Sequence, residues 1–222
     1  MKAMKKILTV LFTFCIIGCT MNNPPPSHGK IFDEKHGSSA SNSADLNELE
    51  KAVIKEMNLA RTNPSLYTER YIEPMLGQFN GMIFTGYGYN LQTNEGAAAV
   101  RECITVMKSI APMTALQADE GLAHAAKDWV DIQSPTSNIG HGSGADYFAT
   151  RIARYGTWRG CAENIAYGFN DARRIIVQLL IDDGVSNRGH RANIFGNYTH
   201  VGVSCGGHQT YRYMCVQDFG IK

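Results

Sequence analysis

Ala162-Glu163-Asn164-Ile165-Ala166 lies at the centre of a set of short motifs that decide the fold predicted for this chain. Gly140-His141-Gly142-Ser143-Gly144 precedes it, and His190-Arg191-Ala192-Asn193-Ile194 follows it. Tyr198-Thr199-His200-Val201-Gly202-Val203 comes a few residues later. None of these motifs is specific alone, but four of them in this order rarely arise by chance.

The order and wording of the motifs resemble the CAP superfamily, the cysteine-rich secretory, antigen-5 and pathogenesis-related-1 proteins, in its bacterial SCP-like branch. The resemblance extends over residues 46–222. It implies an α+β fold, the α-β-α sandwich of the CAP type, with helices packed on an antiparallel sheet. It also implies that two histidines and two acidic side chains meet at the floor of one open cleft.

His141, Glu163 and His190 are three members of this candidate tetrad. In the family, the glutamate that matches Glu163 holds a cleft histidine. The glycines around His141 leave its imidazole uncrowded and let the backbone approach a ligand closely. Simpler interpretations also stand: His141 in a solvated loop, Glu163 as a carboxylate that pins a loop, and His190 as an ordinary residue at the start of a helix.

The fourth member of the tetrad is less well matched. The family places its second acid after a Trp-Tyr pair, whereas this chain has Leu180-Ile181 before two aspartates. The spacing favours Asp183, with Asp182 close behind. Aspartate is one methylene shorter than glutamate, so its reach to a shared ligand is shorter.

Two imidazoles and two carboxylates are compatible with three roles. His141 and His190 could bind Zn²⁺ or another divalent metal. The same side chains could act as catalytic acid and base, since imidazole titrates near neutral pH. They could also form a hydrogen-bond network that only ties loops together.

Apolar periodicity predicts four helices and a terminal hairpin. Apolar residues recur at the 3.6-residue spacing of one helix face in four segments, and two alternating runs near the end flank a turn. The predicted helices cover residues 46–60, 95–110, 118–132 and 171–181, and the predicted strands cover 200–205 and 211–219. Helices and antiparallel strands without regular βαβ units indicate the α+β class.

The N-terminus is predicted to direct export. Residues 1–18 combine three lysines with an apolar run of 12 residues, which is too short to span a bilayer and typical of a signal peptide. Cys19 follows a small residue, as in a bacterial lipobox, so it is predicted to carry lipid; an ordinary cleaved signal is the alternative. Residues 19–45 are predicted to be a disordered tether, and 46–222 a single domain. The protein would then be a membrane-anchored lipoprotein or secreted.

Four cysteines lie beyond residue 19, and an even number in an exported chain suggests disulfides. Cys205 and Cys215 flank a turn-like stretch between strand-like runs, so this pairing is favoured. It leaves Cys103 and Cys161 as the second pair. Free thiols are the alternative, and a four-cysteine zinc site is disfavoured because no CxxC motif is present.

Composition and motifs narrow the possible functions. The chain is 44% hydrophobic, as in globular proteins. Its net charge is +1 and the sequence contains no cluster of basic residues, which argues against nucleic acid as a partner. Gly-x-Ser-x-Gly, His-Glu-x-x-His and phosphate-loop motifs are absent from the sequence. Since family members include sterol and fatty-acid binders, the resemblance implies a cell-envelope binding module for a small apolar or amphipathic ligand. The alternatives are a metal-dependent hydrolase that uses the tetrad and an adhesion protein in which the tetrad is structural.

Overall fold

The structure, a computed structural model, describes residues 46–222. Its helices are α1 (Glu48–Thr62), α2 (Pro64–Tyr67), α3 (Ala97–Ser109), α4 (Glu120–Gln133), α5 (Phe148–Ala153), α6 (Ala172–Ile181) and α7 (Gly189–Ile194). Its strands are β1 (Phe79–Asn80), β2 (Ile83–Phe84), β3 (Leu91–Gln92), β4 (Gln117–Ala118), β5 (Gly160–Tyr167), β6 (His200–His208) and β7 (Arg212–Ile221). A π-helical turn at Thr68–Ile72 and 3₁₀ turns at Glu73–Gln78 and Gly144–Asp146 complete the described elements.

The main sheet has four strands in the order β4-β6-β7-β5. The terminal strands β6 and β7 form an antiparallel hairpin, β5 pairs antiparallel with β7, and the short β4 runs parallel to β6. Strands β1, β2 and β3 form a separate small antiparallel sheet. The predicted hairpin is therefore the centre of the main sheet, and β5 is one of its edges.

Each face of the main sheet is covered by helices. Successive side chains of a strand point to opposite faces, so apolar residues on both faces need partners. On β7, Cys215 and Phe219 pack into a core formed with α1, α3 and α6. Met214 and Val216, one residue out of step, pack against α4. Helix α5 adds to the same side as α4 through Phe148 and Ile152. The α-β-α sandwich is thereby confirmed.

The four predicted helices are present, with ends displaced by at most two residues. Side-chain caps explain where three of them begin, namely α1, α4 and α6. Asn47 accepts from the backbone N–H of Glu50, whose side chain accepts from Asn47 N–H in return, which fixes the start of α1. Asp171 accepts from Arg174 N–H at 2.9 Å and caps α6, the helix that leads into the candidate site.

The predicted disulfide between Cys205 and Cys215 is confirmed. The two residues are directly paired partners on β6 and β7, with Cα atoms 4.0 Å apart. The bridge therefore joins the two central strands of the sheet.

The predicted disulfide between Cys103 and Cys161 is wrong, because both are free cysteines on opposite faces of the sheet. Cys103 is buried on α3, where its thiol contacts the Leu180 carbonyl oxygen at 3.3 Å. Cys161 lies on β5 and packs toward the α5 side. Burial raises the pKa of each thiol to about 11, so both are protonated at neutral pH.

The predicted signal peptide (1–18), lipid-modified Cys19 and tether (19–45) lie outside the described residues. Within residues 46–222, no helix is long and apolar enough to cross a membrane.

Candidate functional site

His141 and Glu163 form the first polar pair of the site. The Nδ1 atom of His141 lies 2.7 Å from Oε1 of Glu163. The Glu163 side chain is buried on β5, whereas about 20% of the His141 side-chain surface is exposed to solvent. With Nδ1–H donating to the carboxylate, Glu163 fixes the orientation of the ring and makes Nε2 the acceptor of the neutral imidazole.

The loop that carries His141 is fixed through the preceding residue, Gly140. The Gly140 carbonyl accepts from Trp129 Nε1 at 2.8 Å and from Gln133 Nε2 at 3.0 Å, both on α4. The Gly140 N–H donates to the hydroxyl of Tyr167 at 3.0 Å. Gly142 has a φ of +75°, and a Cβ atom there would lie 2.3 Å from the Asp146 carbonyl oxygen. A side chain at position 142 would therefore displace the loop.

Arg151 is a buried cation beneath this pair. Its guanidinium donates to Glu163 Oε2 and to the carbonyl oxygens of His141 and Asp146. The guanidinium carbon also lies 4.6 Å from the centre of the Trp129 ring. Arg151 thus compensates the buried charge of Glu163 and ties the histidine loop to α5.

Asp218 brings a second buried carboxyl group to the same place. It is the direct cross-strand partner of Glu163 on β7. It is fully buried beside the Glu163 side chain. Burial, and next the neighbouring Glu163 carboxylate, raise the pKa of Asp218 well above its usual range. Asp218 therefore holds a proton far more readily than an exposed aspartate.

His190 and Asp182 form the second polar pair. Asp182 Oδ1 lies 2.6 Å from His190 Nδ1, and its Oδ2 accepts from the His190 backbone N–H at 2.9 Å. Asp182 ends α6 in the left-handed conformation, with a φ of 56°, and this turn directs its carboxylate toward the start of α7.

The choice of Asp183 as fourth tetrad member is therefore corrected to Asp182. The carboxylate of Asp183 accepts instead from the backbone N–H groups of Asn94 and Glu95, at 2.6 and 2.8 Å. It fixes the segment that leads into α3. The left-handed residue at the end of α6 sends the two consecutive side chains to different partners, which spacing alone does not reveal.

Strand β5 connects the two histidine–carboxylate pairs. Glu163 points to the α4–α5 face, and the next residue, Asn164, points to the other face. Asn164 Nδ2 donates to the His190 backbone oxygen at 3.0 Å, and Asn164 Oδ1 accepts from Asn193 at 2.9 Å. Strand β5 thus contacts His141 through Glu163 on one face and the His190 backbone through Asn164 on the other.

An apolar pocket lies beside the second pair. His190 and Asp182 are part of its lining, and most of the remaining wall is aromatic or aliphatic. The wall includes Phe79, Phe84, Tyr87, Leu91, Val177 and Ile181, from the small sheet and its loops and from α6. The cavity volume is about 90 Å³, which exceeds the space that one water molecule needs. His141 is not part of this lining.

Metal binding by His141 and His190 stays a prediction. Nδ1 of each ring is engaged by a carboxylate, so a metal would have to bind through Nε2, with Glu163 and Asp182 as outer-shell partners. Across residues 46–222, no group of three or more His, Cys, Asp or Glu side chains is placed to hold a metal ion. The described protein groups therefore do not form a complete structural zinc site, which requires four ligands.

Sequence reasoning missed Arg151, Asp218 and Asn164. Asp218 is a carboxylate inside the predicted strand 211–219, and Asn164 is inside the Ala162–Ala166 motif, so both carried a signal. Arg151 carried none, because a basic residue on a short helix is usually solvent-exposed.

Comparison with known proteins gives one family match. The model of the cysteine-rich secretory protein family (CAP) matches residues 98–219, more than half of the chain. No curated protein matches the sequence significantly.

Two solved structures are similar to the fold. One is an outer surface protein from Borrelia burgdorferi, with 18% identity and a TM-score of 0.41 over 48% of this chain and 77% of that one. The other is an extracellular protein containing an SCP domain from Bacillus anthracis, with 25% identity and a TM-score of 0.38 over 50% of this chain. The match covers 35% of the Bacillus anthracis chain.

Proposed function

Because this chain belongs to the cysteine-rich secretory protein (CAP) family, we propose that it is an exported binding module whose pocket accepts a small apolar or amphipathic molecule. The observation that carries this proposal is the pocket itself, which has aromatic and aliphatic walls and includes the His190–Asp182 pair in its lining. Apolar walls with a few placed polar groups are the usual composition of a small-molecule site.

Filling the pocket should weaken binding. Leu91 lies on β3, is partly exposed and lines the pocket, so Leu91→Trp should occupy the cavity without disturbing the main core. We expect about tenfold weaker binding of an environment-sensitive apolar fluorophore, equivalent to about 1.4 kcal/mol. Fluorescence titration of the purified domain measures this.

Leu59→Trp is the matched control, because Leu59 is exposed on α1 and does not line the pocket. It should bind the fluorophore like the wild type. Equal binding by the wild type and both variants would mean that the fluorophore binds outside the pocket. If the wild type does not bind the fluorophore, the proposal that the pocket is a binding site fails.

An anchored location is the second part of the proposal. Cys19→Ala should shift the protein from the detergent phase to the aqueous phase in phase separation, or block its maturation. The reason is that one acyl chain holds a protein only marginally, whereas several chains hold it firmly. Cys15→Ala is the control, because Cys15 lies within the segment predicted to be removed. Wild-type protein that stays aqueous and lacks lipid would contradict the anchor.

A metal-dependent or acid–base hydrolase is the second candidate function. It is favoured by the two histidine–carboxylate pairs, since a carboxylate on Nδ1 orients an imidazole for proton transfer at Nε2. Hydrolysis of peptide, ester or glycan substrates that disappears in the double substitution His141→Ala, His190→Ala would favour this function over binding alone. If the pairs are only structural, an adhesion or interaction role remains, and the double variant would keep partner binding.

A further inference from the structure

His208 connects the turn of the terminal hairpin with the loop that carries His141. It lies at the end of β6 and is only 4% exposed. Its Nε2 atom lies 2.8 Å from the carbonyl oxygen of Asn138 in that loop, and its Nδ1 atom accepts from the backbone N–H groups of Thr210 and Tyr211 in the turn, both at 3.2 Å. Because a backbone N–H can only donate, Nδ1 carries the lone pair and Nε2 carries the proton that is donated to Asn138. The folded arrangement therefore requires a neutral imidazole.

The same ring supports the position of His141 through Tyr167. The rings of His208 and Tyr167 pack edge to face, with their centres 5.2 Å apart. The Tyr167 hydroxyl accepts from the N–H of Gly140, the residue directly before His141, at 3.0 Å. His208 therefore contacts the loop both at the Asn138 backbone and through the tyrosine. A displaced imidazole would loosen the loop next to His141.

The surroundings of the imidazole disfavour a positive charge. Its ring neighbours are two uncharged phenols, Tyr167 on β5 and Tyr211 in the turn. Its cross-strand partner is the cation Arg212, and residues 134–140 include no ionisable side chain. On α4, Asp131 is exposed and forms an ion pair with a lysine, and within residues 46–222 the imidazole has no carboxylate partner. A proton on Nδ1 would therefore create a buried, uncompensated charge and leave two backbone N–H groups without their acceptor.

We propose that His208 is a pH switch, whose protonation separates the hairpin turn from the loop that carries His141 while the main sheet stays folded. The closed arrangement is favoured while the ring is neutral and is lost at acidic pH, where imidazole gains a proton. The bridge between Cys205 and Cys215 joins β6 and β7 three residues before His208, so the separation is confined to the end of the hairpin. The switch does not depend on the apolar pocket, because neither His208 nor His141 lines it.

Two signals in nuclear magnetic resonance spectra of the purified protein test the switch. They are the Gly140 amide and the indole N–H of Trp129, which donates to the Gly140 carbonyl at 2.8 Å. Both signals should shift between pH 7.5 and pH 5. The protection of the Gly140 amide against hydrogen exchange, corrected for the intrinsic pH dependence of exchange, should fall about tenfold over this range. Circular dichroism should show unchanged secondary structure, since the main sheet stays folded.

Three variants assign the transition to one ring. His208→Gln removes the titrating group and should remove the pH dependence of both signals. His124→Gln is the matched control, because His124 on α4 is about half exposed and contacts Glu120 and Tyr155 instead; it should keep the transition of the wild type. His141→Gln tests whether His141 itself produces the transition, and it should also keep it.

The wild-type ring decides the matter even if His208→Gln does not fold. Its nitrogen chemical shifts should show a proton on Nε2 alone at pH 7.5 and protons on both nitrogens at acidic pH, in step with the Trp129 signal. The switch is overturned if the His208 ring stays neutral down to pH 5, if the ring and the loop signals change independently, or if the whole domain unfolds in the same step. A transition that persists in His208→Gln and disappears in His141→Gln would assign the pH dependence to His141 instead.

Discussion

Replacing Arg151 with leucine is expected to lower the free energy of unfolding by about 3–5 kcal/mol, the usual cost of removing one partner from a buried ion pair. The arginine side chain is completely buried and donates to Glu163 and to the carbonyl oxygens of His141 and Asp146. Without it, the Glu163 carboxylate would remain buried beside Asp218 with no compensating cation. Urea unfolding of the domain, followed by circular dichroism, measures the change.

Arg154→Leu is the control for this experiment. Arg154 lies just beyond the end of α5, but its side chain is about 41% exposed and its ion pair with Asp128 spans 3.4 Å. Surface pairs of this kind contribute about 0–1 kcal/mol, so the control should be nearly neutral. Arg151→Lys, which keeps the charge but loses the forked geometry, should lie between the two. Similar losses in Arg151→Leu and Arg154→Leu would contradict the role of the buried cation.

Replacing Asp218 with asparagine should stabilise the protein in a pH-dependent way. Burial and the Glu163 carboxylate raise the pKa of Asp218 in the folded state, so the folded protein binds this proton more tightly than the unfolded chain. The contribution of Asp218 to stability is therefore complete below its unfolded pKa of about 4, and it is lost as pH rises toward the folded pKa. Asparagine has no proton to lose and avoids this loss.

The difference between the variant and the wild type is expected to be small at pH 4. It should then grow by up to about 1.4 kcal/mol per pH unit above that, in favour of Asp218→Asn. Urea unfolding of both proteins at pH 4, 5 and 6 gives the difference, and Asp146→Asn, at an exposed carboxylate, should show no such trend. A difference that is constant across this range would mean that Asp218 is not protonated in the folded state.

The sequence was sufficient for the helices and the hairpin because their signals are local. Apolar spacing placed α1, α3, α4 and α6 to within two residues, and alternation placed β6 and β7. Strand β5 was not predicted from periodicity, because it is buried on both faces over most of its length and shows no simple alternation. Its motif, rather than its periodicity, drew attention to Glu163.

The errors concern contacts that depend on tertiary structure. The disulfide between Cys103 and Cys161 was inferred by elimination, and elimination could not show that the two lie on opposite faces of the sheet. The choice between Asp182 and Asp183 depended on one left-handed residue. Arg151 could not be recognised because its burial is created by three separate elements, α4, α5 and β5, which the chain brings together only on folding.

Because β5 is an edge strand that carries contacts of the site, the site forms only when β5 pairs with β7 in the correct register. Because successive side chains alternate between faces, a slip of one residue along β7 would turn Glu163 toward the α1–α6 core and Asn164 toward α5. The first change would leave Arg151 without its counter-ion, and the second would remove the hydrogen bond from Asn164 to the His190 backbone oxygen. A mispaired strand would thus lose both of these site contacts at once, so the polar contacts that orient the histidines also discriminate against misfolded registers.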